Sequence, residues 1–292
     1  MTAEPHTSAP ENELRRMLHS ALERELGALG VEASGVPVFG WRDRSLGAAV
    51  SRGGEALWLR LVWSRTEWAR GSWWTGNQDA GAISGVRKPR VLEVREQTDG
   101  PLTVRAELMT LVPGRPAQST PDLRAAPSLD EAWWNALAGG LDALSVAPTV
   151  RRAVDPDGIR RRIAVFFGLD VDTDVGDWRA AHGDLHWNNL HVEPFAMVDW
   201  EAWGLAPRGY DAAFLLCHSL AQPDVVAQIA RRFADDLDSE DGVVSQLYVL
   251  TKLLTRADGG EHPHLVAPIH RHVDRLIGRA TRTRPLSRGE GS

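Results

Sequence analysis

Cysteine is nearly absent from this sequence of 292 residues, in which Cys217 is the only one. A disulfide within the chain is therefore excluded, which suits a reducing compartment such as the cytoplasm. No apolar run approaches the ~20 residues that a membrane-spanning helix needs. The N-terminus also lacks the apolar core of a signal peptide. We therefore expect a cytoplasmic protein that has no membrane partner.

Lysine is almost as scarce, because Lys88 and Lys252 are the only two among 33 basic residues. The net charge of −6 argues against nucleic acid as the main partner, since proteins that bind a duplex usually present a basic face. Hydrophobic residues make up 43% of the chain and charged residues 25%, as in an ordinary globular protein. The length is sufficient for two domains, or for one domain of two lobes.

The first half of the chain combines one helix with a strand-rich region. Leucines at spacings of three and four predict an amphipathic helix over residues 11–29, after a loose polar tail. A second helix is predicted to end near Ser84. The predicted strands around it form a five-stranded antiparallel sheet with one inserted helix, an α+β arrangement. These strands are Val36–Gly40, Ala48–Arg52, Ala56–Trp63, Arg90–Glu96 and Leu102–Thr110.

The pattern becomes helical after the turn residues Pro113–Pro116. Ser128 is the predicted N-cap of the first helix, and Glu131 completes a capping box. We therefore divide the chain into a tail and helix (1–29), a smaller lobe (30–111) and a larger, mainly helical lobe (112–292), whose end beyond Thr281 is again loose. The predicted helices of the larger lobe are Leu129–Leu144, Ile159–Phe167, Tyr210–Ala221, Asp224–Leu237, Val243–Arg256 and Leu265–Arg279.

The segment His182–Leu190 carries the most informative motif. It reads His-Gly-Asp-Leu-His-Trp-Asn-Asn-Leu, and Val-Asp-Trp-Glu follows at 198–201. Phosphoryl transfer to a hydroxyl needs one carboxylate to orient that hydroxyl and accept its proton, and an amide oxygen and a second carboxylate to hold the metal. Three ordinary polar residues in a loop are the alternative. The fixed spacing, the local glycine and the apolar-Asp-aromatic step favour the catalytic interpretation.

This segment resembles the catalytic loop of the aminoglycoside phosphotransferase and choline kinase superfamily, in which Asp-Trp-Glu stands where protein kinases carry Asp-Phe-Gly. The continuation over 203–213 is also typical of that family. The resemblance implies a protein-kinase-like fold of two lobes. It also implies that Asp184 is the catalytic base and that Asn189 and Asp199 are Mg²⁺ ligands.

The resemblance further implies supporting roles for two residues beside the catalytic base. His182 begins the catalytic segment, and Asp211 matches a residue that buttresses the loop in the family. A plain N-cap of the following helix is an alternative for Asp211, and the two roles are compatible.

The smaller lobe departs from the family at one position. Leu57–Val62 resembles the strand that carries a phosphate-binding lysine, but its basic residue is Arg60. A guanidinium can meet phosphate oxygens with two donors, although it is bulkier than an ammonium. By spacing, Asp79 is the implied acidic partner, with Glu67 as the other candidate. The alternatives are a solvent-exposed strand arginine and solvated helix carboxylates.

Two further segments resemble nucleotide-binding elements. Gly40–Gly47 lies where a hairpin covers the nucleotide in the family, so Ser45 and nearby backbone amides are candidates for binding phosphate. An ordinary β-turn without a ligand is an equal alternative. Glu107–Gly114 resembles the hinge between the lobes. By position, the carbonyl of Thr110 and the amide of Val112 would bind the adenine edge, because the proline that follows has no amide. An ordinary edge strand is the alternative.

The predicted function is Mg²⁺-dependent transfer of phosphate from ATP or GTP to a hydroxyl of a small molecule. Phosphorylation of a peptide Ser or Thr in natural-product biosynthesis is an alternative. A nucleotide-binding protein that no longer transfers phosphate is another, suggested by Arg60. The identity of the acceptor, the choice of nucleotide and the oligomeric state stay open.

Two other clusters have both a functional and an ordinary interpretation. The acidic residues over 235–241 match a region that holds the cationic antibiotic in aminoglycoside kinases, although a charged helix end is the favoured interpretation. The histidines over 262–272 match no zinc spacing and are expected on the surface.

Overall fold

The computed structural model describes residues 9–168 and 173–283 of the chain. Most of the two predicted loose tails, residues 1–8 and 284–292, lies outside this description. Contacts divide the chain into two compact units. The first comprises Met1–Ala82 and Lys88–Pro113, and the second comprises Ile83–Arg87 and Gly114–Ser292.

The first unit is built on an antiparallel sheet of six strands rather than the predicted five. The sheet order is β1-β3-β4-β6-β5, and β2 also pairs with β3. The additional strand is β1, a two-residue strand that pairs with the end of β3. Helix α1 is Ala9–Leu29, and the strands are β1 Glu32–Ala33, β2 Val38–Phe39, β3 Ser45–Arg52, β4 Glu55–Arg65, β5 Val91–Asp99 and β6 Leu102–Thr110.

Strict alternation in β4 decides which side chains enter the core of this unit. Leu57, Leu59 and Leu61 are fully buried in a cluster with α1 and the neighbouring strands. Because successive side chains of a strand point to opposite faces, Arg60 lies on the other face of the sheet. The hairpin before β4 turns at two consecutive glycines with φ of 59° and 86°, which suits a tight two-residue turn.

The inserted helix ends earlier than predicted. Helix α2 spans Ser72–Asp79 and continues only as the single 3₁₀ turn Ala80–Ala82. The remaining residues up to Arg87 belong to the second unit by their contacts.

The second unit is mainly helical, and several of its helix boundaries differ from the predictions. The first helix begins two residues later than expected, since Trp133 N donates to Asp130 Oδ1 over 2.8 Å, and Asp130 rather than Ser128 is the N-cap. The helix predicted over 210–221 ends at Cys217, and the one predicted over 224–237 breaks at Phe233. The helices are α3 Glu131–Ser145, α4 Pro156–Phe167, α5 Tyr210–Cys217, α6 Pro223–Arg232, α7 Ala234–Leu237, α8 Glu240–Asp258 and α9 Val266–Thr283.

Two small sheets complete the second unit and hold the catalytic segment between them. One has the order β10-β9-β7 and the other pairs β11 with β8. None of the helices in the described part of the chain has the length and apolar character to cross a membrane. The strands are β7 Arg115–Pro116, β8 Trp178–Ala181, β9 Leu190–Val192, β10 Ala196–Met197 and β11 Gly204–Pro207.

Candidate active site

The segment 182–189, named here the catalytic loop, is anchored at both ends by strands. Strand β8 ends immediately before His182, and β9 begins immediately after Asn189. The last three residues of the loop form a 3₁₀ turn. The indole of Trp187 in this turn is fully buried and donates to Ser219 Oγ over 2.8 Å. The loop is therefore attached firmly to the core of the second unit.

Asp211 holds the start of the loop through two backbone hydrogen bonds. Its Oδ2 accepts the N–H of His182 at 2.6 Å, and its Oδ1 accepts the N–H of Gly183 at 3.0 Å. The N-cap position of α5 is occupied by Gly209 without a side-chain cap, so the plain N-cap interpretation of Asp211 is wrong. Burial raises the pKa of the Asp211 carboxyl, although His182 and the two N–H groups favour its ionised form.

Gly183 is required at the second position of the loop. Its φ of 82° lies in the left-handed region, and a Cβ at this position would stand 2.4 Å from the carbonyl oxygen of Ala202. A side chain at this position would clash with that carbonyl and displace the backbone directly before Asp184.

His182 connects the loop to the segment that leads into Asp199. The ring is fully buried, its Nε2 lies 3.0 Å from the carbonyl oxygen of Val198, and it packs edge-on against Trp200 at 4.7 Å. Burial lowers the pKa of His182, so the ring is neutral at neutral pH. Because a carbonyl can only accept, Nε2 carries the proton. The supporting role of His182 stays a prediction.

Asp184 presents a partly exposed carboxylate, with 31% of its side chain accessible. Burial acts to raise the pKa of this carboxyl. The nearby charges of His186, Lys252 and Arg256 outweigh burial, so the pKa lies below its usual value. Asp184 is therefore ionised at neutral pH and able to accept a proton. His186 Nε2 lies 3.6 Å from Asp184 Oδ2.

Asn189 is oriented by the loop itself. Its Nδ2 donates to the carbonyl oxygen of Asp184 over 2.9 Å, which leaves Oδ1 as the atom of the amide that suits a cation. The backbone N–H of Val198 donates to the carbonyl oxygen of Asn189 over 3.0 Å. This bond brings Asn189 next to the residue that precedes Asp199.

Asp199 has a left-handed backbone, with φ of 64° and ψ of 69°. Few residues other than glycine adopt this conformation, and Asp and Asn are among the more tolerant. No group of three or more His, Cys, Asp or Glu side chains arranged to hold a metal was found within 9–168 and 173–283. Such a cage is unnecessary for Mg²⁺, which is usually held by one or two protein carboxylates together with substrate phosphates and water.

In the first unit, Arg60 lies within a buried polar network. Only 13% of its side chain is accessible, so the exposed-strand alternative is wrong. Its Nη1 lies 3.4 Å from Oε2 of Glu107, which is 1% exposed. Glu107 also accepts from Asn77 Nδ2 at 2.9 Å and from Arg105 Nε at 3.0 Å.

Sequence reasoning did not predict that Glu107 pairs with Arg60. It was recognised only as the start of the hinge segment, although strands β4 and β6 place it directly opposite Arg60. The two proposed partners of Arg60 are both exposed. Asp79 accepts from Thr75 Oγ1 at 2.6 Å, and Glu67 lies 3.3 Å from Arg65 Nη1. The pairing of Asp79 with Arg60 stays a prediction.

The remaining nucleotide candidates lie at the ends of strands in the first unit. Ser45 is the first residue of β3, and its carbonyl closes a turn by accepting the N–H of Gly40 at 2.9 Å. Thr110 is the last residue of β6, and Val112 follows it outside the strand in a half-buried position. Their contacts with a nucleotide stay predictions.

The acidic segment over 235–241 is used internally at two of its positions. Asp236 accepts from Arg208 Nε at 2.7 Å, and Asp241 accepts the backbone N–H groups of Gly176 and Asp177 at 3.0 and 2.8 Å. These contacts agree with the favoured interpretation of a charged helix end rather than a grip for a cationic substrate.

The prediction of surface histidines is wrong for two residues. His262 Nδ1 lies 2.9 Å from Oδ1 of the fully buried Asp122, and only 9% of the His262 side chain is accessible. His272 is also buried, with Nε2 2.9 Å from Gln246 Oε1. The zinc argument considered only spacing along the chain. It could not indicate that these two histidines pair with buried residues of distant segments.

Comparison with known proteins identifies the fold. The chain matches no protein-family model, and no curated protein sequence matches it. The crystal structure of aminoglycoside phosphotransferase APH(4)-Ia superposes with a TM-score of 0.62 and 13% identity, over 90% of this chain and 98% of that one. A thermostable mutant of that enzyme, in ternary complex with ADP and hygromycin B, gives 0.60 and 14% over 92% and 99%.

Another ternary complex of the thermostable mutant, with AMP-PNP and hygromycin B, has a TM-score of 0.59 and 15% identity, over 90% of this chain and 99% of that one. At these identities the likeness establishes the fold alone. The prediction made from the catalytic-loop motif is confirmed at that level: this chain has the protein-kinase-like α+β fold of the aminoglycoside phosphotransferases.

Proposed function

We propose that this chain is a Mg²⁺-dependent phosphotransferase that moves the terminal phosphoryl group of ATP or GTP to a hydroxyl of a small molecule. The geometry of the catalytic loop carries this proposal. Asp184 has an ionised, partly exposed carboxylate, and the two residues before it donate their backbone N–H groups to Asp211. The backbone of Asp184 in turn orients the amide of Asn189.

The similar structures support the proposed reactants. Two of them contain hygromycin B together with ADP or AMP-PNP. A nucleotide and a hydroxyl-bearing acceptor are therefore bound by proteins of this fold. Because fold does not determine function, the residues of this site must carry the chemistry.

Asp184 would act on the acceptor. Its carboxylate would accept a hydrogen bond from the attacking hydroxyl and then take the proton as the oxygen attacks the terminal phosphorus. A pKa below the usual range keeps this carboxylate ionised and available at neutral pH. His182 would position the base, because it ties the loop to the segment before Asp199.

Asn189 and Asp199 would hold the metal through their side-chain oxygens. When bound, Mg²⁺ neutralises negative charge on the phosphates. The hydrogen bond from Asn189 Nδ2 to the Asp184 carbonyl fixes which amide atom is available, so this residue is oriented before the ion arrives.

Arg60 would contact the phosphates of the nucleotide from its strand. Glu107 lies within ion-pair distance of its guanidinium, and Arg60 keeps its charge at any working pH. We propose Ser45 as a further residue at the phosphates and Asp79 as an acidic partner of Arg60. The carbonyl of Thr110 and the amide of Val112 are proposed to bind the adenine edge.

A nucleotide-binding protein without transfer activity is the second candidate, favoured only by arginine at position 60. The ionised state of Asp184 and the oriented amide of Asn189 favour the enzyme. The two candidates differ in one measurable property, which is turnover of Mg·ATP in the presence of an alcohol.

The decisive experiment measures ADP release and phosphorylated product for wild type and Asp184→Asn with a panel of aminoglycosides, sugars, amino alcohols and hydroxy acids. Removal of a positioned general base lowers kcat by about 10²-fold or more, while Mg·ATP binding should persist. Asp274→Asn, an exposed carboxylate on α9, is the matched control. Transfer at the wild-type rate by Asp184→Asn would exclude this base. Nucleotide binding without turnover of any alcohol would favour the second candidate.

A further inference from the structure

An aromatic box holds a lysine ammonium close to the proposed base. Lys252 on α8 donates from Nζ to Tyr210 Oη over 3.1 Å. The same atom lies 5.8 Å from the ring centroid of Tyr210, 5.3 Å from that of Phe214 and 5.9 Å from that of Tyr248. Rings at these distances stabilise a cation through their negative faces. The ammonium is therefore fixed in place rather than mobile.

Within the described residues no carboxylate makes a direct ion pair with Lys252, although the charge of Asp184 acts on it. Among residues 9–168 and 173–283, its hydrogen bond goes to a phenol and its other close contacts are rings, with no carboxylate in ion-pair range. Burial lowers the pKa of this ammonium, whereas the charge of Asp184 favours its protonated form. Two of the three ammonium protons remain for a further acceptor.

Neighbouring positive charges reinforce the same region. Lys252 and Arg256 stand four residues apart on α8 and share one face of the helix. Both charges act on Asp184. Arg162 of α4 is bound to α8 through Thr251 Oγ1 at 3.0 Å and Thr255 Oγ1 at 2.6 Å. Three positive charges of α4 and α8 therefore lie in one region, and two of them, Lys252 and Arg256, act on the proposed base.

Two of the acidic residues that would favour a polycationic acceptor are bonded within the protein. Asp236 is bonded to Arg208, and Asp241 to the backbone of residues 176–177. A polycation placed at Asp184 would meet Lys252 and Arg256 instead of these carboxylates.

We propose, on the basis of the function proposed above, that Lys252 binds an anionic group of the acceptor, a carboxylate or a phosphate, while Asp184 binds its hydroxyl. The acceptor is then a hydroxy acid or a phosphorylated alcohol rather than a polycationic antibiotic. An anion that reaches Lys252 supplies a directly bonded counter-ion, which none of the described carboxylates provides, and the aromatic box already contacts the ammonium. Lys252 therefore sets the substrate class.

The scarcity of lysine makes a direct test possible. A chain labelled with ¹³Cε-lysine shows two lysine signals, from Lys88 and Lys252, and Lys88→Arg assigns them. Acetate, acetamide and inorganic phosphate are titrated into the wild-type chain at constant ionic strength. We expect the Lys252 signal to move to saturation with acetate or phosphate, and its pKa to rise. The anion that moves it at the lower concentration distinguishes a carboxylate from a phosphate site.

Three results of this titration would overturn the inference. One is an equal movement with acetamide, which has the size of acetate without its charge. The second is an unmoved Lys252 signal. The third is a signal that responds only to Mg·ATP, which would make Lys252 a ligand of the nucleotide.

A second arm measures transfer from Mg·ATP to glycerate, glycerol and ethanolamine, which are small alcohols of negative, zero and positive charge. We expect glycerate to have the highest kcat/KM. Loss of one charge-assisted hydrogen bond should lower its kcat/KM by about 10- to 100-fold in Lys252→Met, with partial recovery in Lys252→Arg. The loss for glycerol should be smaller, because glycerol loses only the effect of Lys252 on the pKa of Asp184. Arg271→Met, an exposed cation on α9, is the control for net charge. An equal loss for glycerate and glycerol would overturn the assignment.

The two arms separate this inference from the proposed function. The titration needs no turnover, so saturable acetate or phosphate binding at Lys252 with no transfer to any alcohol counts against the phosphotransferase alone. Transfer that prefers ethanolamine, together with an unmoved Lys252 signal, counts against the anionic acceptor alone.

Discussion

Replacing Asp211 with asparagine removes half of the attachment of the catalytic loop while preserving the size of the side chain. The two carboxylate oxygens accept the N–H groups of His182 and Gly183 at 2.6 and 3.0 Å. Asparagine has one oxygen and one NH₂ group. Its oxygen can therefore accept one of the two backbone N–H groups. Its NH₂ group then faces the other N–H group, which is left without an acceptor.

The size of the effect follows from the burial of this group. Losing a charge-assisted hydrogen bond costs about 1.5–3 kcal/mol, and leaving a buried N–H without an acceptor costs about 1–3 kcal/mol. These terms overlap, and removal of a buried charge whose pKa is raised by burial offsets part of them. We expect a net loss of about 2–4 kcal/mol, which lowers Tm by about 3–7 °C in a chain of this size.

Thermal unfolding followed by circular dichroism measures the stability, and steady-state turnover measures kcat on the same samples. Because Asp184 follows the two bound residues directly, a displaced loop should lower kcat by about 10²-fold, as a misplaced catalytic group does. Asp274→Asn serves again as the exposed control. If Asp211→Asn unfolds at the same temperature as wild type and that control, and turns over normally, the loop does not depend on this carboxylate.

Three further predictions concern the metal, the nucleotide and pH. Asp199→Ala should abolish the Mg²⁺-dependent part of ATP affinity in calorimetry, and unchanged Mg·ATP binding would contradict its role as a ligand. Arg60→Ala should weaken ATP binding by about 10- to 100-fold, since each charge-assisted bond to phosphate contributes about 1.5–3 kcal/mol. Arg60→Lys tests whether the site, with Glu107 opposite, needs a planar guanidinium or only a cation. Wild-type binding by both variants would show that Arg60 does not contact the nucleotide. Burial lowers the pKa of the fully buried His218 to about 3, so this ring stabilises the fold above its unfolded pKa, and its stabilisation is lost as the pH falls toward 3. The loss amounts to at most about 5 kcal/mol. His218→Gln should therefore make the free energy of unfolding depend less on pH between about pH 6.5 and 4, as measured by chemical denaturation. An unchanged dependence on pH would show that other groups dominate.

Local patterns were sufficient to predict several elements of this structure. The strand pattern over 56–63 predicted β4, and the leucine spacing predicted α1, because both patterns are local along the chain. The boundaries were less well predicted. Asp130 caps α3 in place of Ser128, and the chain breaks at Phe233, since neighbouring side chains compete for a cap and tertiary packing decides where a helix stops.

The pairing of charged residues depended on the register of strands. The strand pattern identifies Arg60 as the candidate phosphate ligand, and the spacing along the chain points to Asp79 or Glu67 as its partner. Glu107 stands opposite it because β4 and β6 are neighbours in the sheet. A register of this kind is visible only when the order of the strands is known.

The amino-acid sequence by itself determined the fold family and the components of the catalytic loop, because phosphoryl transfer requires a few residue types at fixed short spacings. The tertiary structure alone decided how these components are held and what surrounds them. Asp211 reaches the loop from α5, and Lys252 reaches its aromatic box from α8, across separations of 28 and 42 residues. Charges and hydrogen bonds act over ångströms in space, so a local motif specifies the reacting groups while the packing of distant helices sets their electrostatics.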